Sequence, residues 1–189
     1  VSAGDLKIID RNGDGVTNDM DQGYLGTPNF PETMYGLRAG ITHKGWSFSM
    51  MLQGASDFSI NKRTNNPPTP EKGSVLDFVM KRYTPERYEE GTDVEFPRLV
   101  ATNNNWALNG SYWYEDATYL RLKNVEVSYT FDSSRNFINN LGLDNIRLFA
   151  NGMDLLTFSG IDYLDPETTN GQLRYPRSKV INLGIQAKF

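Results

Sequence analysis

The feature that most constrains this chain is a period of two at its end. From Ser178 to Phe189, Ile181, Leu183, Ile185, Ala187 and Phe189 fall on one parity, while Asn182, Gly184, Gln186 and Lys188 fall on the other. A helix cannot sort residues that way; a strand with one apolar and one polar face can. The same alternation recurs upstream. From Thr33 to Thr42, Tyr35, Leu37, Ala39 and Ile41 oppose Gly36, Arg38, Gly40 and Thr42. From Gly45 to Gln53, Trp46, Phe48, Met50 and Leu52 oppose Ser47, Ser49 and Gln53, with Met51 breaking the pattern. Tyr119 to Phe131 begins with Leu120 and Leu122 and then shifts to Val125, Val127, Tyr129 and Phe131. One extra residue swaps the faces of a strand, so a β-bulge is predicted near Lys123-Asn124. From Asn145, Ile146, Leu148 and Ala150 alternate until the pattern becomes irregular after Gly152. Five strands are predicted, at about 33–42, 45–53, 117–131, 145–158 and 178–189.

The connections differ in length. His43-Lys44 is a tight turn, 54–116 and 159–176 are long loops, and Asp132 to Gly142 carries the signals of one short helix. Short turns at one end and long loops at the other are the pattern of outer-membrane barrels. Five strands do not close a barrel, for which about eight are needed. The sheet is therefore either an open soluble sandwich or the tail of a larger barrel. Val1-Ser2-Ala3-Gly4 has neither an initiator Met nor a signal peptide, which predicts a mature chain or a piece of a longer one.

Composition removes other classes. Hydrophobic residues are 38% of the chain and contain no long apolar run, which excludes a membrane-spanning helix but not a barrel. With 19 basic and 23 acidic residues the net charge is −4 and no basic block stands out, against nucleic-acid binding. There is no cysteine and His43 is the one histidine, so thiol chemistry and multi-histidine metal sites are absent. The neighbouring carboxylates of Glu89-Glu90 and Glu115-Asp116 point to opposite sides of an extended chain, unlike a glycosidase pair. No enzyme is predicted. Pro67-Pro68-Thr69-Pro70 predicts a rigid spacer.

Two groups could bind something. Asp10-x-Asn12-x-Asp14-Gly15-x-x-Asn18-x-x-Asp21 matches an EF-hand loop at positions 1, 3, 5, 6, 9 and 12, with the Val16 carbonyl at position 7. Those hard oxygens predict a calcium site, weakened by Asp21 standing where a longer Glu is usual. The alternative is a polar loop held by Asx-turns without metal. The aromatics Trp106, Tyr112, Trp113 and Tyr114 precede the third strand and could stack on a ligand or partner, or pack the loop.

Several blocks together carry a resemblance. Trp113-Tyr-Glu-Asp-Ala-Thr118 followed by Tyr119-Leu-Arg-Leu-Lys-Asn-Val-Glu-Val-Ser-Tyr129 resembles a strand of SusC/RagA-type TonB-dependent outer-membrane transporters. Leu148-Phe-Ala-Asn-Gly-Met-Asp-Leu-Leu-Thr-Phe158 with Gly160 and Leu164-Asp-Pro-Glu167 resembles the next strand and its loop. Tyr175-Pro-Arg177 to Phe189 resembles the last, and Gly4-Asp-Leu-Lys7, Asp10 to Gly15 and Gly26-Thr-Pro28 occur upstream in the family's order. Asp154 stands where the family often has Asn, and Tyr83-Thr-Pro-Glu-Arg87 and Phe96-Pro-Arg98 depart from its long-loop pattern.

The resemblance implies the C-terminal five strands of an all-β, antiparallel transmembrane barrel of about 22 strands. Residues 1–32, 54–116 and 159–176 would then be extracellular loops, and the C-terminus periplasmic. It implies an outer-membrane importer of oligosaccharides or peptides in a Gram-negative bacterium. A SusD-like surface lipoprotein would be its partner, TonB would drive it through an N-terminal part outside these residues, and lipid would surround it. Asn182, Gly184, Ala187 and Phe189 resemble the signal by which barrel assembly recognises a last strand. The competing reading is a soluble, calcium-stabilised β-sandwich that binds glycans. Trp46, Phe48, Met50, Leu52, Leu183 and Ile185 separate the two: exposed in a barrel piece, buried between sheets in a sandwich.

Overall fold

The computed structural model describes residues 1–61, 77–100, 110–161, 164–167 and 177–189. The described residues divide into two compact units. One comprises 1–29, 60–61, 77–100 and 110–115; the other comprises 30–59, 116–161, 164–167 and 177–189.

The second unit is built on one antiparallel sheet. Its strands are β1 (Thr33–His43), β2 (Trp46–Ser56), β5 (Tyr119–Asp132), β6 (Asn145–Ser159) and β7 (Val180–Lys188). They lie side by side in that order, each paired with its predecessor in the list. The first hairpin closes at Lys44-Gly45, where both residues have positive φ, 48° and 88°. That is the backbone of a primed two-residue turn, whose twist matches the flanking strands, and Gly45 adopts it without a steric penalty. A Cβ on Gly45 would also press on the Thr130 carbonyl.

The predicted change of parity is real. Across β2 and β5, Met51 pairs with Asn124 and Leu52 with Leu122, leaving Lys123 unpaired. Across β5 and β6, Leu122 pairs with Leu156 and Asn124 with Met153, so Asp154 and Leu155 bulge beside Lys123. Asp154 takes a positive φ of 50° there. The bulge is what keeps both halves of β5 facing correctly: Leu120 and Leu122 before it, Val127 and Tyr129 after it.

The register draws the faces as rows. Ile41, Phe48, Val127, Ala150 and Leu183 run across all five strands on one side. The adjacent row, Gly40, Ser49, Glu126, Asn151 and Asn182, lies on the other. The apolar rows are open: Trp46 is 58% exposed, Phe48 40% and Leu183 82%. A sandwich would bury these rings against a second sheet, so the sandwich reading is overturned.

Two differences from expectation have simple causes. β2 continues to Ser56, because Gly54, Ala55 and Ser56 are too small to show an alternation. The stretch 54–116 is not a bare loop: its described part holds β3 (Ser59–Asn61) and β4 (Tyr114–Asp116), which pair, and helix α1 (Pro85–Glu89). These elements are three to five residues long, below the length at which periodicity declares itself. The predicted short helix appears as α2 (Asn136–Asn140), with Ile138 fully enclosed. Pro67 to Pro70 lie outside the described residues.

In the first unit, Val79 and Phe96 are buried, and the backbone of Arg82 bridges to Phe96. Thr84 caps α1 by accepting from the Arg87 amide, with proline in the first turn. Asp5, only 4% exposed at its side chain, takes a two-pronged contact from Arg98, whose amide also donates to the Gly4 carbonyl. That carboxylate beside it raises the Arg98 guanidinium pKa.

Candidate functional site

The acidic loop forms a continuous set of turns. Asp10 accepts from the Gly13 amide at 2.7 Å and the Gly15 amide at 2.8 Å. Asn12 accepts from the Asp14 amide and Asp14 from the Val16 amide. Asp21 closes the loop, accepting from the amides of Arg11 at 2.8 Å, Asn12 at 3.3 Å and Asn18 at 2.9 Å. These amides, Asn18's first and Arg11's next, hold its carboxyl below the usual carboxylate range, and Asp10 interacts with it as well. Positions one and twelve of the motif thus both turn their carboxylates onto the loop's own amides. A carboxylate has about four acceptor sites, so each keeps capacity beyond its amide bonds. Among the described residues no three His, Cys, Asp or Glu side chains converge as a metal cluster by themselves. A cation here would draw also on Asn12, Asn18 and the Val16 carbonyl, and their hard oxygens suit calcium in kind. Val16's carbonyl accepts from the Asn18 side-chain amide at 3.4 Å.

The aromatic group is less open than its sequence suggests. Trp113 is completely enclosed, with Tyr112 set edge-on to it at 5.1 Å between ring centres. Tyr112 donates to the Glu95 carbonyl. Burial, then the nearby Glu95 and Glu115 carboxylates, push its phenol up to about 12. Tyr112 and Tyr114 present partial surface, whereas Trp113 presents none. Trp106 lies outside the described residues.

On β7, Asn182 donates from its side chain to Asn151 at 2.9 Å, and Gly184 lies opposite Phe149. A Cβ on Gly184 would meet the Phe149 ring, which covers the bare glycine backbone on the polar face. Ala187 pairs with Ile146, and Phe189 is 88% exposed. Arg147 on the same polar face pairs with Glu126.

Among the described residues, the most buried charged side chain is one the sequence pattern did not mark. Arg121 sits on the polar face of β5 with its side chain 2% exposed. Its Nε donates to Thr157 Oγ1 at 3.0 Å, one Nη to Glu167 at 2.8 Å, and the other to both oxygens of Asp165 at 2.9 and 3.0 Å. Tyr119 donates to the second oxygen of Glu167 at 2.8 Å. Arg177 reaches Glu167 at 2.7 Å and Asp154 at 3.8 Å, and Lys123 reaches Asp154 at 3.0 Å. The signal was available as two cations, Arg121 and Lys123, on β5 and Asp-Pro-Glu at 165–167 in the connection after β6. Partners 44 and 46 residues apart cannot be matched without a register.

This architecture has counterparts among known proteins. No family model matches the chain. TonB-dependent receptor P26 of Formosa agariphila is 27% identical over 205 residues, covering 98% of the chain and 20% of the receptor. TonB-dependent receptor P3 of the same organism is 25% identical over 197 residues, covering 96% and 19%. A solved structure described as the RagAB peptide transporter matches with a TM-score of 0.69 and 22% identity, over 92% of the chain and 19% of that one. The chain is similar to part of a SusC/RagA-like TonB-dependent receptor. The RagAB peptide importer in its closed-closed state gives a TM-score of 0.63 at 24% identity, over 86% of the chain and 18% of the importer. These structures show the fold: a run of antiparallel strands, each paired with the next, like the matching part of those transporters. The chain spans about a fifth of the length of the curated receptors it matches.

Proposed function

We propose that this chain supplies the last five strands of an outer-membrane, TonB-dependent importer. The observation that carries the reading is the two-faced sheet, with an open band including Trp46, Phe48, Leu183 and Ile185 on one side. Charges such as Arg147, Glu126 and Arg121 stand on the other. Exposed rings of that kind are at home in lipid, and polar side chains in a wet lumen. The C-terminus faces the periplasm on this reading, and the ends of β2 and β6 that lead into long connections face outward. The cargo is an oligosaccharide or a peptide, handed over by a SusD-like surface lipoprotein. The exposed parts of Tyr112 and Tyr114 are the described candidates for stacking against it. TonB acts through parts of the protein outside these residues.

The test is uptake by cells carrying the full-length protein. Labelled peptides and labelled oligosaccharides are offered to wild-type and deletion strains, with and without a protonophore. Loss of one cargo class on deletion, and its loss with the protonophore, supports energised import. Unchanged accumulation of both classes overturns it. Tyr114→Ala raises the half-saturating concentration of the affected class if that ring touches cargo, and leaves it unchanged otherwise.

Two further assignments belong to this reading. Residues 10–21 bind calcium through Asp10, Asn12, Asp14, Val16, Asn18 and Asp21, which rigidifies an extracellular loop. Asn182, Gly184, Ala187 and Phe189 present β7 to the assembly machinery as a terminal edge.

A further inference from the structure

We infer that Arg121 is the anchor of a charge clamp that pins the root of the β6–β7 connection to the polar face of the sheet. The clamp holds three cations, Arg121, Lys123 and Arg177, and three anions, Asp154, Asp165 and Glu167, so its formal charge is balanced. Balance matters because a buried guanidinium without partners is expensive, while one whose donors are satisfied in a planar fork is held in place. Arg121 spends donors on Thr157 of the neighbouring strand and on both carboxylates of the connection. The rigid guanidinium fork, with five N–H donors, suits three acceptors set apart in this way.

The two ends of the connection are tied together as well. The chain leaves the cluster at Glu167 and is back at it by Arg177, with those two side chains 2.7 Å apart. The double bulge provides the remaining members. By leaving Lys123 out of the ladder and giving Asp154 a positive φ, it lets these two side chains meet at 3.0 Å and lets Asp154 meet Arg177. A positive φ on a non-glycine residue costs stability, and persists where surrounding contacts impose it. The bulge thus serves two ends: it resets the parity of β5 and builds the far side of the clamp.

Arg121 acts here as a positioning residue. Hydrogen exchange of the full-length protein in detergent tests it, read on peptides covering 159–167 and 124–131. Arg121→Met is expected to speed exchange in 159–167 about tenfold while leaving 124–131 unchanged. Arg121→Lys, a point charge without the fork, is expected not to rescue. The paired change Asp165→Asn with Glu167→Gln reproduces the Arg121→Met effect, and combining all three is no faster than either alone. Unchanged exchange in 159–167, full rescue by lysine, or effects that multiply on combination would each overturn the clamp. Should Arg121→Met fail to assemble, the carboxylate pair, which leaves every strand residue native, decides the question by the same peptides.

Discussion

Single side chains set the behaviour of the acidic loop, and Asp21 most of all. Its carboxylate serves the amides of Asn18, Arg11 and Asn12, which lowers its pKa in the folded loop. A group whose folded pKa is depressed gives stability above its unfolded value, near 3.9, and loses it as pH falls through the folded value. The loop should therefore keep its protection from exchange down to about pH 4 and lose it in more acidic solution. Asp21→Ala should show the acid-like exchange already at neutral pH, while the exchange of β5 stays put. The proposed calcium site would draw on the same oxygens. Calorimetric titration of the metal-stripped full-length protein should show uptake in the weak range of extracellular modules, roughly 10⁻⁴ to 10⁻³ M. It should vanish in Asp21→Ala; the absence of any uptake by the native loop at millimolar calcium would leave only the turn-forming role.

Among the elements, β5 and β6 carry the decisive irregularity. Deleting Lys123 removes the extra residue on β5, so Val125, Val127 and Tyr129 rotate toward the polar side, or the strand slips against both neighbours. Either outcome is expected to prevent assembly, measured as loss of the heat-modifiable form in isolated outer membranes. A deletion variant that assembles normally would show the ladder tolerates the loss.

The same elements show where sequence is legible. The parity of Val125 through Phe131 announced the bulge, because a face either keeps its period or does not. The five long strands were legible for the same reason. Asp154's companion bulge showed only as irregularity after Gly152, since bulged residues lack a period of their own. Thr84 to Glu89 and Ser59 to Asn61 were silent because each is about one turn or one bridge long. The clamp was hidden because its pairs are joined by register and distant in sequence. For Trp113 the sequence left stacking on a ligand and packing of the loop both open, because it shows an aromatic's type but not its enclosure.

For the whole molecule, an apolar face this open requires covering, and the proposed cover is lipid. The sheet also ends in β1 and β7, each with a single partner within the five-stranded sheet, so each offers backbone groups to a neighbour. In the proposed barrel β7 must be recognised before it is closed, which gives Phe189 its role. Phe189→Asp in the full-length protein should reduce its amount in outer membranes several-fold, read by quantitative blotting against an unrelated barrel. Equal abundance would refute the signal without touching the fold.

The paired bulge also writes the inside and outside of this wall in two reading frames, one on each side of Lys123 and Asp154. A chimaera that takes β5 from one parent and β6 from another would join frames that need not agree. Crossovers placed in the 133–144 connection therefore risk turning one strand inside out, whereas exchanging both strands as a cassette keeps the frames in step. Heredity and engineering alike should treat this hairpin as one indivisible word.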